Sequence, residues 1–175
     1  MTMKELAWLM PLLFILHDME EIVLGMAWKK KEPALKKYTK VKLVPFGTSK
    51  DTAGMSFAIY EELLLLCLSA LIGVCTSHYE IWFGFLAGNI LHIITLHMIL
   101  VPLKYRCYVP GLLSSVLTLF PNIWMYVSAA RLLHYRFVQI VLYSVIGMII
   151  AMANLKLLHR HAHSFSDLID HVFAH

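Results

Sequence analysis

Residues 14–25 read FILHDMEEIVLG, which places one imidazole and three carboxylates, His17, Asp18, Glu20 and Glu21, inside an apolar segment long enough to cross a bilayer. Lys4 and Lys29 are the nearest cations in sequence, so none lies within the segment to neutralise them. A charged side chain at bilayer depth costs roughly 2.5–3.5 kcal/mol on insertion scales, so three unpaired acids would cost about 8–10 kcal/mol. A bound cation, bound protons or both must compensate.

The rest of the chain supplies the membrane. It has 175 residues, 59% of them hydrophobic, with a mean hydropathy of +0.70, well above the apolar share of a soluble domain. Apolar segments able to cross a hydrocarbon core of roughly 30 Å fall at about 6–27, 55–76, 81–103, 109–131 and 137–158. The expected fold is all-α: one membrane domain over 1–175, a bundle of five transmembrane helices. Acids interrupt the first segment and no small-residue cleavage site precedes Lys29, so it reads as a retained span and not a signal peptide. Cys67, Cys75 and Cys107 are odd in number and imply no disulfide framework.

Charge sets the expected orientation. Eight lysines lie in the 28–54 loop, Lys104 and Arg106 in the next turn on that side, and Lys156 and Arg160 at the C-terminal end, against Lys4, Arg131 and Arg136 opposite. The excess marks the cytoplasmic side, which puts the N-terminus outside a cell membrane and the C-terminus in the cytoplasm. The basic loop suits anionic lipid headgroups, at about 1 kcal/mol per cation near the surface. In the cytoplasmic tail 159–175, Phe165, Leu168, Ile169, Val172 and Phe173 recur at helical spacing and predict a short C-terminal amphipathic interfacial helix. The tail histidines His159, His161, His163, His171 and His175 share no single face at ligand spacing. No phosphate-binding loop or nucleic-acid module is present, which argues against nucleic-acid partners; the sequence leaves a homo-oligomer open.

On an ideal helix, Glu20 lies about 60° to one side of His17, Glu21 about 40° to the other, and Asp18 about 100° away. His17, Glu20 and Glu21 therefore project together, an imidazole and carboxylate set suited to zinc, iron or manganese, with Asp18 outside it. In the second span Glu62 shares a face with Ala58, Ser69, Gly73 and Thr76, while Glu61 falls on a lipid-like face among Phe57, Leu65, Leu68 and Ile72 and is expected to reach towards the cytoplasmic headgroups. In the third span Asn89 and His92 point inward together. His97, about 140° from His92 on a regular helix, reads as a weak ligand candidate. The stripe Gly111, Ser114, Ser115, Thr118 and Asn122 gives the fourth span a polar wall that suits substrate. With this orientation His17, Glu62 and His92 fall about ten, seven and eleven residues from the cytoplasmic ends of their spans, one layer at 1.5 Å per residue.

The sequence His17-Asp18-Met19-Glu20-Glu21, then Glu62, then Asn89-x-x-His92, then Tyr108-Val109-Pro110-Gly111, resembles the HXXEE-domain family of small integral membrane proteins over most of its length. That resemblance implies an enzyme-like metal site at His17, Glu20, Glu21 and His92, with Glu62 and Asn89 as associates.

Together these readings set the expectation: a membrane metalloenzyme, a hydrolase acting on a lipid or other amphipathic substrate near the cytoplasmic interface. The metal ligands would be His17, Glu20, Glu21, Glu62 and His92, holding one or two divalent ions, zinc or iron. Such an ion acidifies coordinated water towards a pKa of about 7 and polarises the scissile bond. Glu21, if not a ligand, would be the general base, and Asn89 would stabilise developing negative charge. Two alternatives use the same residues. One is a di-iron lipid oxidoreductase, although Glu-x-x-His is the usual order in such bundles. The other is a proton or cation transporter built on the intramembrane carboxylates. A purely structural bundle needs fewer inward acids than this one carries.

Overall fold

Pro11 lies inside the first helix, α1 (Met3–Lys31), and its missing N–H leaves the carbonyl of Ala7 without its intrahelical donor. The indole of Trp82 takes that acceptor, Nε1 to Ala7 O at 3.1 Å, so a local defect in one helix becomes a cross-link to another. The start of α1 is held by a reciprocal cap: Thr2 N–H donates to Glu5 at 2.7 Å and Glu5 N–H to the Thr2 hydroxyl at 3.4 Å.

The computed structural model describes residues 1–31, 51–100, 102–103 and 106–173, and they are helical throughout apart from short turns. Helix α2 is Thr52–Thr76, capped by the Asp51 carboxylate, which accepts from Gly54 N–H at 2.8 Å. It ends at Ser77 in the left-handed region, where the Tyr79 ring closes over Gly73 so tightly that a Cβ there would lie 2.8 Å from the ring edge. Helix α3 (Glu80–His92) passes directly into a π-helix, Ile93–Leu100. Helix α4 is Leu112–Leu132 and α5 is Phe137–Phe173.

Around the bundle the packed neighbours run α1, α2, α5, α3, α4 and back to α1, and α3 also touches α1 and α2. Trp82, Phe83 and Leu86 of α3 are accordingly sealed at the centre, with Leu6, Met10 and Phe14 of α1, Ile59, Leu66 and Ala70 of α2, and Met125 and Ala129 of α4. Outer faces stay apolar and exposed, for example Leu12, Leu16 and Val23 on α1 and Phe137, Val141 and Ile149 on α5. A soluble protein would not tolerate so continuous an apolar exterior.

Four of these helices are long and apolar enough to cross a membrane: Thr52–Thr76, Glu80–Leu100, Leu112–Leu132 and Phe137–Leu158. α1 matches them in length but is not among them, because its middle carries the acids. At the other end, α5 runs unbroken to Phe173, so no break separates the expected 137–158 span from the expected tail helix. Phe165 stacks on Phe57 of α2 with ring centroids 4.2 Å apart, while Leu168 and Val172 are exposed. Residues 32–50 of the basic loop lie outside the described residues, as do Lys104, His175 and the side chains of His159, Arg160, His163, Ile169 and Phe173.

Candidate metal centre

His17 is only 1% exposed, and the hydroxyl of Ser114 on α4 fixes its tautomer. That hydroxyl lies 3.1 Å from the His17 carbonyl and 3.0 Å from His17 Nδ1. With its single hydrogen given to the His17 carbonyl or to the Gly111 carbonyl at 3.3 Å, it accepts from Nδ1–H, and in that tautomer Nε2 is left as a bare lone pair. Nε2 is buried without a hydrogen-bond partner. A histidine pinned through one nitrogen with the other directed into a polar cluster is the arrangement by which proteins orient metal ligands.

Helix α3 and its continuation bring two more imidazoles. The His97 ring lies 4.7 Å from His17 and 4.8 Å from His92 between centroids, and His17 and His92 are 6.5 Å apart. His97 Nε2 is 2.9 Å from His92 Nε2 and 3.1 Å from Glu21 Oε1. The π-helix creates this grouping, because its i→i+5 bonding stacks residues five apart where an α-helix would turn them away from each other. Two local features favour it: the Thr95 hydroxyl donates to the Leu91 carbonyl at 2.7 Å, competing with a backbone donor, and Pro102 brings no N–H to the end of the segment.

The acids divide into two sets. Asp18 is 6% exposed, and its Oδ2 is buried with no hydrogen-bond partner, while Glu21 Oε1 has the His97 imidazole. Glu62 on α2 is near enough for charge repulsion with both. Glu20 points elsewhere: it accepts from Ser114 N–H at 2.7 Å and from the Tyr108 phenol. Tyr108 is also tied to α1 through its carbonyl, which accepts from Trp28 Nε1 at 2.9 Å. Burial and the Glu20 carboxylate push the Tyr108 phenol up to about 12, so it remains a protonated donor. Gly111 completes the enclosure with φ of 93°. A Cβ there would lie 2.6 Å from His97 Nδ1 and 2.7 Å from Glu21 Oε1, so a side chain is excluded on both strain and space.

Two overlapping sets of ligand atoms, His17/His92/His97 and His17/Asp18/Glu21, each lie within 4.8 Å of one another. Of the residues expected from sequence, His17, Glu21 and His92 are brought together. Glu62 stands against the acidic side, and Glu20 is engaged by Tyr108 and Ser114. Asn89 bonds Asn122 at 3.3 Å. Sequence reasoning passed over Asp18 and undervalued His97. The arc itself held the signal for Asp18, which shares a side of α1 with Glu21 and lies about 160° from Glu20. Glu61, expected to reach from a lipid-like face towards the headgroups, accepts from Asn154 of α5 at 3.0 Å. The polar wall on α4 is packed inside the bundle: Ser115 and Asn122 are fully buried, and Thr118 and Asn122 bond carbonyls one turn back.

Replacing Tyr108 with phenylalanine removes one charge-assisted bond from Glu20 and leaves Ser114 N–H in place. Because Tyr108 is 45% exposed, the expected loss is about 1 kcal/mol, read as a lower unfolding midpoint in detergent, with metal content unchanged.

A helical bundle with an apolar exterior and a buried cluster of imidazoles and carboxylates defines a polytopic membrane protein with a candidate metal centre. A family model described as "Protein of unknown function with HXXEE motif" matches residues 8–126, and the chain belongs to that family. The match covers every residue of the candidate centre and stops before α5. No curated protein and no solved structure matches the chain.

Proposed function

We propose that the protein is a membrane-embedded metal-dependent enzyme, a hydrolase acting on a lipid or amphipathic substrate near the cytoplasmic interface. The observation that carries this reading is the convergence of buried ligand atoms: His17 Nε2 and Asp18 Oδ2 have no hydrogen-bond partner, and Glu21 Oε1 meets only the His97 imidazole, 3.1 Å from Nε2, beside the His92 ring. Buried polar atoms almost always have partners, and one divalent cation would satisfy this group where no single proton can. In this reading α1 is a fifth span, its acids compensated by the ion. The lysine-rich side of the bundle faces the cytoplasm and anionic headgroups.

The donor chemistry favours one ion. His17 belongs to both ligand sets, and with Nδ1 turned to Ser114, Nε2 is the atom open to an ion. Three imidazoles with a carboxylate suit zinc better than the carboxylate-rich centres of di-iron bundles. Bound there, the ion would supply Lewis-acid polarisation and water activation. Glu21, whose Oε1 is 3.1 Å from His97 Nε2, is the group placed to take a proton, while Tyr108 and Ser114 hold Glu20 in the wall of the site.

Metal analysis of detergent-purified protein and hydrolysis of phospholipid in mixed micelles test this together. The expected result is one zinc-class ion per chain and a Glu21→Gln variant that binds the ion more weakly but, loaded at saturating zinc through the remaining donors, hydrolyses about 10²–10⁴-fold more slowly. Protein without stoichiometric metal, showing acid-dependent cation flux in proteoliposomes, would establish the transporter reading instead.

A further inference from the structure

We propose that the π-helix Ile93–Leu100 is a metal-site adaptor: it makes His97 a ligand of the ion held by His17 and His92, and ion binding and the π register are one equilibrium. This rests on the metal reading above. In a continuous α-helix, residues five apart diverge by about 140°, so one ion could not meet both His92 and His97. In the π register their Nε2 atoms are 2.9 Å apart, with Glu21 Oε1 3.1 Å from the second. A single proton can occupy the line between two imidazole nitrogens. Placed there it is withheld from Glu21 Oε1, 3.1 Å from the same His97 nitrogen, and His17 Nε2 has no hydrogen-bond partner in either case, whereas a cation is not limited to one pair of donors. π-helices are rare and concentrate at functional sites, and the alternative α register would keep the backbone bonded while turning His97 away. The ion therefore selects the register, and the register supplies the third imidazole.

The test uses the full chain in detergent, titrated with zinc and, for ligand geometry, with cobalt(II) followed by its visible absorption. His97→Gln is expected to weaken zinc binding by more than about 100-fold, beyond the 10–100-fold range typical of supporting residues. The double variant Leu96→His with His97→Leu moves the imidazole to four residues after His92, about 40° away on an α-helix. If the ion selects the register, this variant relaxes to α and recovers zinc affinity to within about tenfold, or about 1.4 kcal/mol, of wild type. Deleting Leu96 produces the same spacing and the same recovery. Circular dichroism and gel filtration verify that each variant is folded. Failure of both folded variants to bind, after His97→Gln has abolished binding, would overturn the coupling and mean that the chain fixes the π register without the ion. Zinc binding that survives His97→Gln but not His17→Ala would overturn the role of His97 and leave the metal reading standing. A wild-type chain that binds neither metal removes both.

Discussion

Substituting Gly147 with leucine is expected to lower stability in detergent by about 3 kcal/mol or more, at or above the upper end of the usual overpacking range. The obstacle is backbone. A Cβ on Gly147 would fall onto the main chain of Gly84, 2.6 Å from its carbonyl oxygen, and a Cβ on Gly84 would come 2.7 Å from Gly147 Cα. No rotamer change relieves either contact, so α3 and α5 must separate. In lipid, helices associate through close packing and hydrogen bonds, so the glycine contact between α3 and α5 works together with Tyr126 to Ser144 at 2.8 Å, Asn154 to Glu61, and Phe165 on Phe57. Gly88 provides the control. A Cβ there would meet Ala151 at 3.5 Å, an ordinary contact, and alanine is the better helix former by roughly 0.5–1 kcal/mol. Gly88→Ala should therefore be neutral or stabilising. Denaturant titration of the two variants checks the contrast, and equal destabilisation would refute backbone contact at Gly84 and Gly147 as the cause.

The bundle was legible because apolar length and helical period are strong signals, and four of the expected spans match helices of membrane-crossing length to within a few residues. The inward faces of His17, Glu21 and His92 were legible for the same reason: 100° per residue holds along α1 and along α3 as far as His92. Beyond it the period changes, and a projection at 100° sets His97 about 140° from His92 where the π-helix brings the two rings together. Glu61 was misplaced for a different reason. A face of Phe57, Leu65, Leu68 and Ile72 looks like lipid surface, but near its end it meets α5, and Asn154 could be paired with it only once the packing order of the helices was known. The tail was divided at residue 158 because hydropathy falls there, yet nothing in the sequence stops the helix, since neither proline nor glycine occurs between Met148 and Phe173.

Replacing His17 with alanine is expected to abolish metal binding while leaving a folded bundle, because His17 is common to both ligand sets and its hydrogen-bond partner Ser114 keeps other acceptors. The Ser114 hydroxyl still has the residue-17 carbonyl at 3.1 Å and the Gly111 carbonyl at 3.3 Å, so the direct structural loss is mainly a cavity, about 2 kcal/mol. His17→Gln fills more of that cavity and separates the packing loss from the ligand loss. The larger effect is linkage. A ligand that binds only the folded state stabilises it by about 2.7 kcal/mol when its free concentration is a hundred times its dissociation constant. Zinc should raise the unfolding midpoint of the wild-type chain by that equivalent and leave both His17 variants unmoved. Without the ion, Asp18, Glu21 and Glu62 lie close enough to repel one another when ionised, so metal-free wild type should already be less stable than the loaded protein and respond steeply to added zinc. If zinc shifts wild type and His17→Ala equally, the ion is binding elsewhere on the chain, and His17 is a packing residue held by Ser114.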